Sequence, residues 1–383
     1  MRFSYSLVIT GLILINLTML SPAFGDVVSP TPIQVGQDPE WIAINENTNT
    51  VYVSNEGTGV TVINGATDLN VTSISVGNQP QGIAVNNATN KVYVANNGDN
   101  NVTAINGATN SVITTIPVGS GPRGVAVNSV TGFGYVANEG DDSVTVINLV
   151  SDTAVTTIPV RDAPYGIGVN QITNKVYVAN QGNNTVSVID GLTNTVVNTI
   201  DVGTAPRGVG INPITNEVYI TNSFDDTVTV IDGSTDTVSI PAIAVRGFPQ
   251  QVGVNAATNM AYVANRANNT VSIINGTTHA VDQTLVVQRF PHGLAVNSAT
   301  CKTYVGNIGV NDPEDTVSVI SCQALAPPPS PSPVGGEILG IDVTSLFVTG
   351  AFTNAGWILP VVGVAVAGIV GFAMRKRIKV RKE

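Results

Sequence analysis

The sequence predicts an all-β protein: a seven-bladed propeller of four-stranded antiparallel blades, closed by an N-terminal strand and followed by one C-terminal transmembrane helix. Three observations predict it. A tyrosine returns as Tyr52, Tyr93, Tyr135, Tyr177, Tyr219, Tyr262 and Tyr304, at intervals of 41 to 43 residues, and a period of that size marks a repeat architecture. Each repeat holds four short β-rich runs between Gly, Asn and Pro clusters, and none has helical period. Only 11% of the 383 residues are charged, against 43% hydrophobic and 38 Gly, a profile of buried strands and many turns rather than of disorder.

The fourth repeat shows the pattern. Pro164-Tyr165-Gly166 opens it, and Ile167-Gly168-Val169-Asn170 alternates large and small residues as the innermost strand. Glycine there lets the crowded inner strands approach one another; Trp41 and Gln251 break the rule in two repeats. Lys175 to Asn180, Val186 to Asp190 and Val196 to Val202 supply the other strands. Asn45, Asn86, Asn128, Asn170, Asn212, Asn255 and Asn297 recur with a threonine three positions on, as expected where Asx side chains lock a turn.

The tetrads Tyr52-Val53-Ser54-Asn55, Tyr93-Val94-Ala95-Asn96, Tyr135-Val136-Ala137-Asn138 and Tyr177-Val178-Ala179-Asn180 continue as Tyr219-Ile220-Thr221-Asn222, Tyr262-Val263-Ala264-Asn265 and Tyr304-Val305-Gly306-Asn307. In these the chain resembles the YVTN family of β-propeller repeats from about Ile33 to Cys322. That resemblance is specific for the fold and not for function, because a propeller hosts unrelated activities.

Ile33-Gln34-Val35-Gly36 matches a fourth-strand pattern with no blade before it, and the seventh repeat stops after its third strand. The N-terminal strand is therefore expected to complete the last blade, which removes an open edge. Cys301 and Cys322 both lie in this repeat and suit an oxidising exterior. They are expected to form a disulfide staple, since two cysteines and two histidines make a poor metal set.

The flanks point to export. Residues 1–25 read as a signal peptide: Arg2 precedes an apolar stretch from Leu7 to Leu20, with Ala23-Phe24-Gly25 before Asp26. The propeller is then assigned to 26–323, a Pro-rich spacer and juxtamembrane segment to 324–356, a transmembrane helix to 357–374 and a basic cytoplasmic tail to 375–383. Trp357 to Met374 lacks a charge, would be about 27 Å long as a helix, and meets six basic residues that set the tail inside. Between Asp26 and Gly356 there are 9 basic and 25 acidic residues, a net of −16, which argues against nucleic-acid binding. The stretch from Gly335 onward, with the helix and tail, resembles the C-terminal anchors of archaeal surface (S-layer-related) proteins.

No HExxH, GxSxG, Walker or CxxC signature occurs, no cofactor is expected, and no catalytic or metal residue is assigned. Variable positions on the repeated frame are the better guide. After each repeated proline stand Glu40, Gln81, Arg123, Tyr165, Arg207, Gln250 and His292, expected to ring one mouth of the central channel as a polar ligand site or, more plainly, as a solvated rim. Arg123 and Arg207 there favour an anion. Glu56, Asp99, Glu139, Asp141, Asp142, Asp225, Asp226, Asp312, Glu314 and Asp315 crowd the same face, suggesting weak Ca2+ binding without EF-hand spacing. His279 reads as a solvated turn residue. Sequons at Asn70, Asn87, Asn101, Asn183, Asn268 and Asn275 are glycosylation candidates.

Taken together, these features predict a non-enzymatic, membrane-anchored, extracellular propeller for adhesion, envelope association or ligand capture, with an envelope protein or glycan as partner. The alternative is an exported lyase or cofactor-dependent enzyme with its site at the channel mouth, for which His292 and Glu40 are the acid–base pair.

Overall fold

A computed structural model describes residues 24–309 and 315–324. Strand pairing orders them into seven antiparallel sheets. Six blades have four consecutive strands each, as in Pro164–Asn170, Lys175–Asn180, Thr185–Asp190 and Thr195–Asp201. The seventh has Pro291–Asn297, Lys302–Asn307 and Thr316–Ala324, and the N-terminal chain supplies its fourth strand. That strand comes in two pieces: Phe24–Val28 and Ile33–Gln34 both pair antiparallel with Thr316–Ala324. The closing segment is thus longer than Ile33–Gly36 alone, and Phe24 and Gly25, read from sequence as part of the leader, pair with Ala324 and Gln323. The remaining leader, the spacer, the 357–374 span and the tail lie outside the described residues; among those described, no helix is long and apolar enough to cross a membrane.

Local chemistry explains the elements. The turn after each inner strand is an Asx turn: Asn45 Oδ1 accepts from the amides of Asn47 and Thr48, and Asn170 Oδ1 from those of Ile172 and Thr173. The turn's last residue is left-handed, as at Asn49, Asn174 and Asn216, where Asn carries little penalty. The same asparagines also reach the next blade, with Asn45 Nδ2 to Asn90 Oδ1 and Asn170 Nδ2 to Asn216 Oδ1 both at 2.7 Å.

Apolar packing lies between blades rather than at one centre. Ile33, Ile42, Val51, Tyr304 and Val317 form one such cluster across the ring closure. All seven tetrad tyrosines are essentially fully buried, and six of their hydroxyls find a partner. Tyr93 donates to Asp152, Tyr177 to Asp236 and Tyr304 to Asp68, in each case on the following blade. The same aspartates accept from Lys91, Lys175 and Lys302 at 2.6–2.7 Å. Tyr262 donates to Asp26 of the closing strand at 2.6 Å. Burial first, then the neighbouring carboxylate, pushes the Tyr93 and Tyr304 hydroxyls far up. Cys301 and Cys322 are joined by a disulfide with a Cα–Cα distance of 5.6 Å, and Cys322 sits in register with Asp26.

His279 is not a solvated turn residue. It occupies the turn position that Asp68, Asp152 and Asp236 hold elsewhere, and its Nε2 lies 2.7 Å from Glu217 Oε1. Glu217 stands where lysine stands in the three seams just described, so acidic and basic side chains are exchanged across this one, with Tyr219 donating to Glu217 at 3.1 Å.

Candidate functional site

The residues after the repeated prolines sit on irregular inner strands. In blades two to seven the register with the second strand shifts between the proline and the residue three positions on, as at Pro122/Val125 and Pro206/Val209. A bulge of this kind re-aims side chains away from the sheet's alternation. The glycine inside it is needed because the next blade's backbone comes close: a Cβ on Gly124 would meet the Tyr165 carbonyl at 2.7 Å, and one on Gly208 the Gln250 carbonyl at 2.6 Å.

The seven positions do not form a solvated rim. Gln81, Tyr165, Gln250 and His292 are buried, Glu40 is at the edge of burial, and only Arg123 and Arg207 keep partial exposure. What closes the axis is Trp41 from blade one, whose ring centroid lies 6.3 Å from that of Tyr165 in blade four. Trp41 occupies a position that is glycine in most blades, where the bare backbone leaves room for a large side chain to reach the centre. Arg123 and Arg207 lie over the Tyr165 ring at 5.5 and 5.0 Å, and Arg207 also over Phe248 at 5.2 Å, in cation–π range.

The two arginines differ in their partners. Arg123 Nε donates to Glu139 Oε2 at 2.6 Å; burial lowers the Arg123 pKa, but Glu139 and the other anionic neighbours outweigh it and the net direction is up. Arg207 has no carboxylate within 4 Å among the described residues, and burial pulls its pKa down. Its Nη1 donates to Gln250 Oε1 at 2.9 Å. Because a guanidinium can only donate, that contact fixes the Gln250 amide with its NH2 turned away from Arg207. Gln250 Nε2, Arg207 Nε and Trp41 Nε1 are all buried without a partner. Three unpartnered donors, one of them on the Arg207 cation, thus gather near Tyr165. Burial raises the Tyr165 hydroxyl pKa, with Arg207 opposing. Chemically the group is short of an anionic acceptor.

Glu40 and His292 do meet across the ring closure. His292 Nδ1 lies 2.9 Å from the Glu40 carbonyl and 3.4 Å from its carboxylate. Burial pulls the His292 pKa down despite Glu40, so the neutral ring donates from Nδ1 to backbone.

Six of the acidic loop residues are engaged as braces. Asp99, Asp141 and Asp225 accept from the amides of Asn78, Ser120 and Thr204, Asp142 and Asp226 from those of Ala163 and Phe248, and Asp315 from those of Asp38 and Gly309. No group of three or more His, Cys, Asp or Glu able to hold a metal ion occurs among the described residues; Asp312 and Glu314 lie outside them. Of the sequons, Asn70 is exposed on an outer strand, whereas Asn183 and Asn268 accept backbone amides. Asn101 and Asn275 are half-buried in hydrogen bonds, and Asn87 is half-buried. Two open grooves of about 240 and 250 Å³, beside Glu56 to Pro80 and Val245 to Ser272, lack the axial convergence of polar side chains.

Sequence reasoning missed Glu139 and Phe248 as members of this cluster, and treated Trp41 and Gln251 only as exceptions to the glycine rule. Those exceptions were the available signal: a large residue replacing glycine on an inner strand must go somewhere.

The family model described as a lactonase, seven-bladed β-propeller, matches residues 106–245. That stretch contains Arg123, Glu139, Tyr165 and Arg207 but not Trp41, Gln250 or His292. The solved hydrazine synthase of Kuenenia stuttgartiensis is similar, with a TM-score of 0.67 at 18% identity over 78% of this chain and 98% of that one. At this identity the likeness is one of fold. No curated protein matches the chain.

Proposed function

We propose that the protein is a non-enzymatic propeller of the YVTN type, anchored at the cell surface, that captures an anionic group of an envelope partner at its axial cluster. One observation carries the reading: the partly buried Arg207 guanidinium lacks a carboxylate, while Gln250 Nε2, on its hydrogen-bond partner, and Trp41 Nε1, on the ring packed against the same Tyr165, stand unpartnered. Buried charge without a counter-ion is costly, and a carboxylate or phosphate oxygen relieves all three donors together. The leader-like N-terminus and the 357–374 segment support export and anchoring, and the resemblance to S-layer-related anchors supports an envelope setting. The partner is then an acidic glycan or a protein carboxylate. The enzymatic alternative is weaker because His292, its best base, is buried, and burial disfavours the protonated form that a base must reach.

Calorimetric titration of the full-length chain in detergent with inorganic phosphate and with acetate tests the reading. Binding of either anion that is lost in Arg207→Gln is expected, and the responding anion identifies the oxygen chemistry. Silence toward both, or binding indifferent to Arg207→Gln, overturns it.

A further inference from the structure

The two faces of the ring differ in a way the ligand site does not use. One face carries the blade-to-blade loops and the loops after the tetrads, with Asp99, Asp141, Asp142, Asp162, Asp225 and Asp226. Among the described residues, the opposite face carries the tight turns between first and second and between third and fourth strands, together with the two ends of the closing blade at Phe24 and Ala324. In every one of those turns the two central residues are uncharged, and the second is always Thr or Ser. The turn carboxylates are held: Asp68, Asp152 and Asp236 by lysines, Glu46 by the Ser298 amide, and Asp190 and Asp232 by the amides of Leu192 and Ser234 within their own turns.

In three adjacent blades the first central residue is large and apolar. Val130 and Val150 of blade three, Ile172 and Leu192 of blade four, and Ile214 of blade five are 71–84% exposed. The matching positions elsewhere are Asn47, Ala66, Ala88, Ala108, Ser234, Ala257, Thr277 and Ala299, so the apolar tips are confined to one sector. Scattered exposed apolar residues need no explanation, but five at equivalent tips of consecutive blades form a patch that asks for a partner.

The chain's own geometry says what lies opposite. Lys302 marks the turn-tip end of its strand and pairs with Ser321; the last strand runs three residues further to Ala324, paired there with Phe24. The chain therefore leaves the ring on the turn-tip face. An uncharged apolar segment, 357–374, follows after 32 intervening residues. Such a tether holds the face at high effective concentration near a bilayer without fixing its orientation. Orientation is then set by the faces: the acidic loop face is repelled by anionic headgroups, whereas uncharged Thr-rich turns with apolar tips enter the interface at little desolvation cost.

We infer that the sector formed by Val130, Val150, Ile172, Leu192 and Ile214 rests on the lipid bilayer, tilting the ring toward blades three to five and turning the axial cluster outward. This rests on the anchored-surface reading above. The test uses the full-length chain reconstituted in phosphatidylcholine–phosphatidylglycerol vesicles containing spin-labelled lipid. A fluorophore is placed by Leu192→Cys or Ile172→Cys on the tips, or by Arg161→Cys on the loop face. The described residues hold no free cysteine to compete. Quenching several-fold stronger at positions 192 and 172 than at 161, with the protein floating with the vesicles, is the expected result. Flotation with equal or absent quenching at the tips overturns the orientation and leaves anchoring intact. Crosslinking of two copies through position 192 without lipid quenching overturns it in favour of a dimer. Failure to float removes the anchoring reading and this inference with it.

Discussion

Tyr304 of blade seven donates its hydroxyl to Asp68 of blade one at 2.8 Å, while Lys302 holds the other carboxylate oxygen at 2.7 Å. The first and last blades are thus joined by the side-chain pattern that joins blades two to three and four to five, in addition to the shared backbone strand. Tyr304→Phe is expected to cost about 1–3 kcal/mol, because it strips a largely buried hydrogen bond to a charged acceptor. Tyr135 is the control. Its hydroxyl has no partner among the described residues, so Tyr135→Phe is expected to be neutral or slightly stabilising. Urea melts of the two variants check the contrast; equal losses would argue that the tyrosines act through packing alone.

The exchanged seam gives a second prediction. Glu217→Lys alone places a cation against His279, and His279→Asp alone sets two carboxylates together. Each is expected to destabilise by about 1 kcal/mol, and the double variant to recover most of the loss, since contacting charges couple in a mutant cycle. Additive losses would show that the Glu217–His279 contact contributes nothing.

Reduction of Cys301–Cys322 is expected to lower the melting temperature. The bridge spans a sequence separation of 21, for which chain entropy alone predicts a stabilisation of about 3 kcal/mol. It also braces the strand that carries the closing segment, so early loss of the Phe24–Val28 pairing should accompany reduction, visible as faster amide exchange there. An unchanged melt removes the staple role.

Acid should act through His292. Its folded pKa is depressed, by burial first and with Arg266 and Arg207 adding to it against the pull of Glu40. The unfolded chain therefore binds the proton more readily. The stability contribution is full above the ordinary histidine value of 6.5 and is lost as pH falls through the folded value. His292→Gln is expected to flatten the decline in melting temperature between about pH 6.5 and pH 5, a window set by the unperturbed imidazole. The same slope in both proteins would assign the acid sensitivity elsewhere.

Much of the fold was legible because each blade states it locally. Tyrosine spacing counts blades, Asn45 and its equivalents lock turns over two or three residues, and the orphan strand at Ile33 has a single vacancy to fill. The candidate site was less legible. Its positions were readable as the residues that do not repeat, but their burial was not, because the Trp41–Tyr165 contact joins blades one and four and depends on the width of the closed ring. Lys91 and Asp152 are likewise 61 residues apart, and nothing local in either links them. His279 looked solvated because its partner Glu217 belongs to the preceding blade.

The seam pairs also bear on how such a ring can change over evolutionary time. Lys91, Lys175 and Lys302 each require an aspartate at one turn of the blade that follows, whereas Glu217 requires a histidine there. Blades that are alike in backbone are therefore not interchangeable. Duplicating blade four beside itself would set Lys175 of one copy against Asn194 of the next instead of Asp236, and inserting any blade between five and six would leave Glu217 and His279 without each other. Similar repeats invite unequal recombination, and at the four seams that carry such a pair the mismatched edges penalise it.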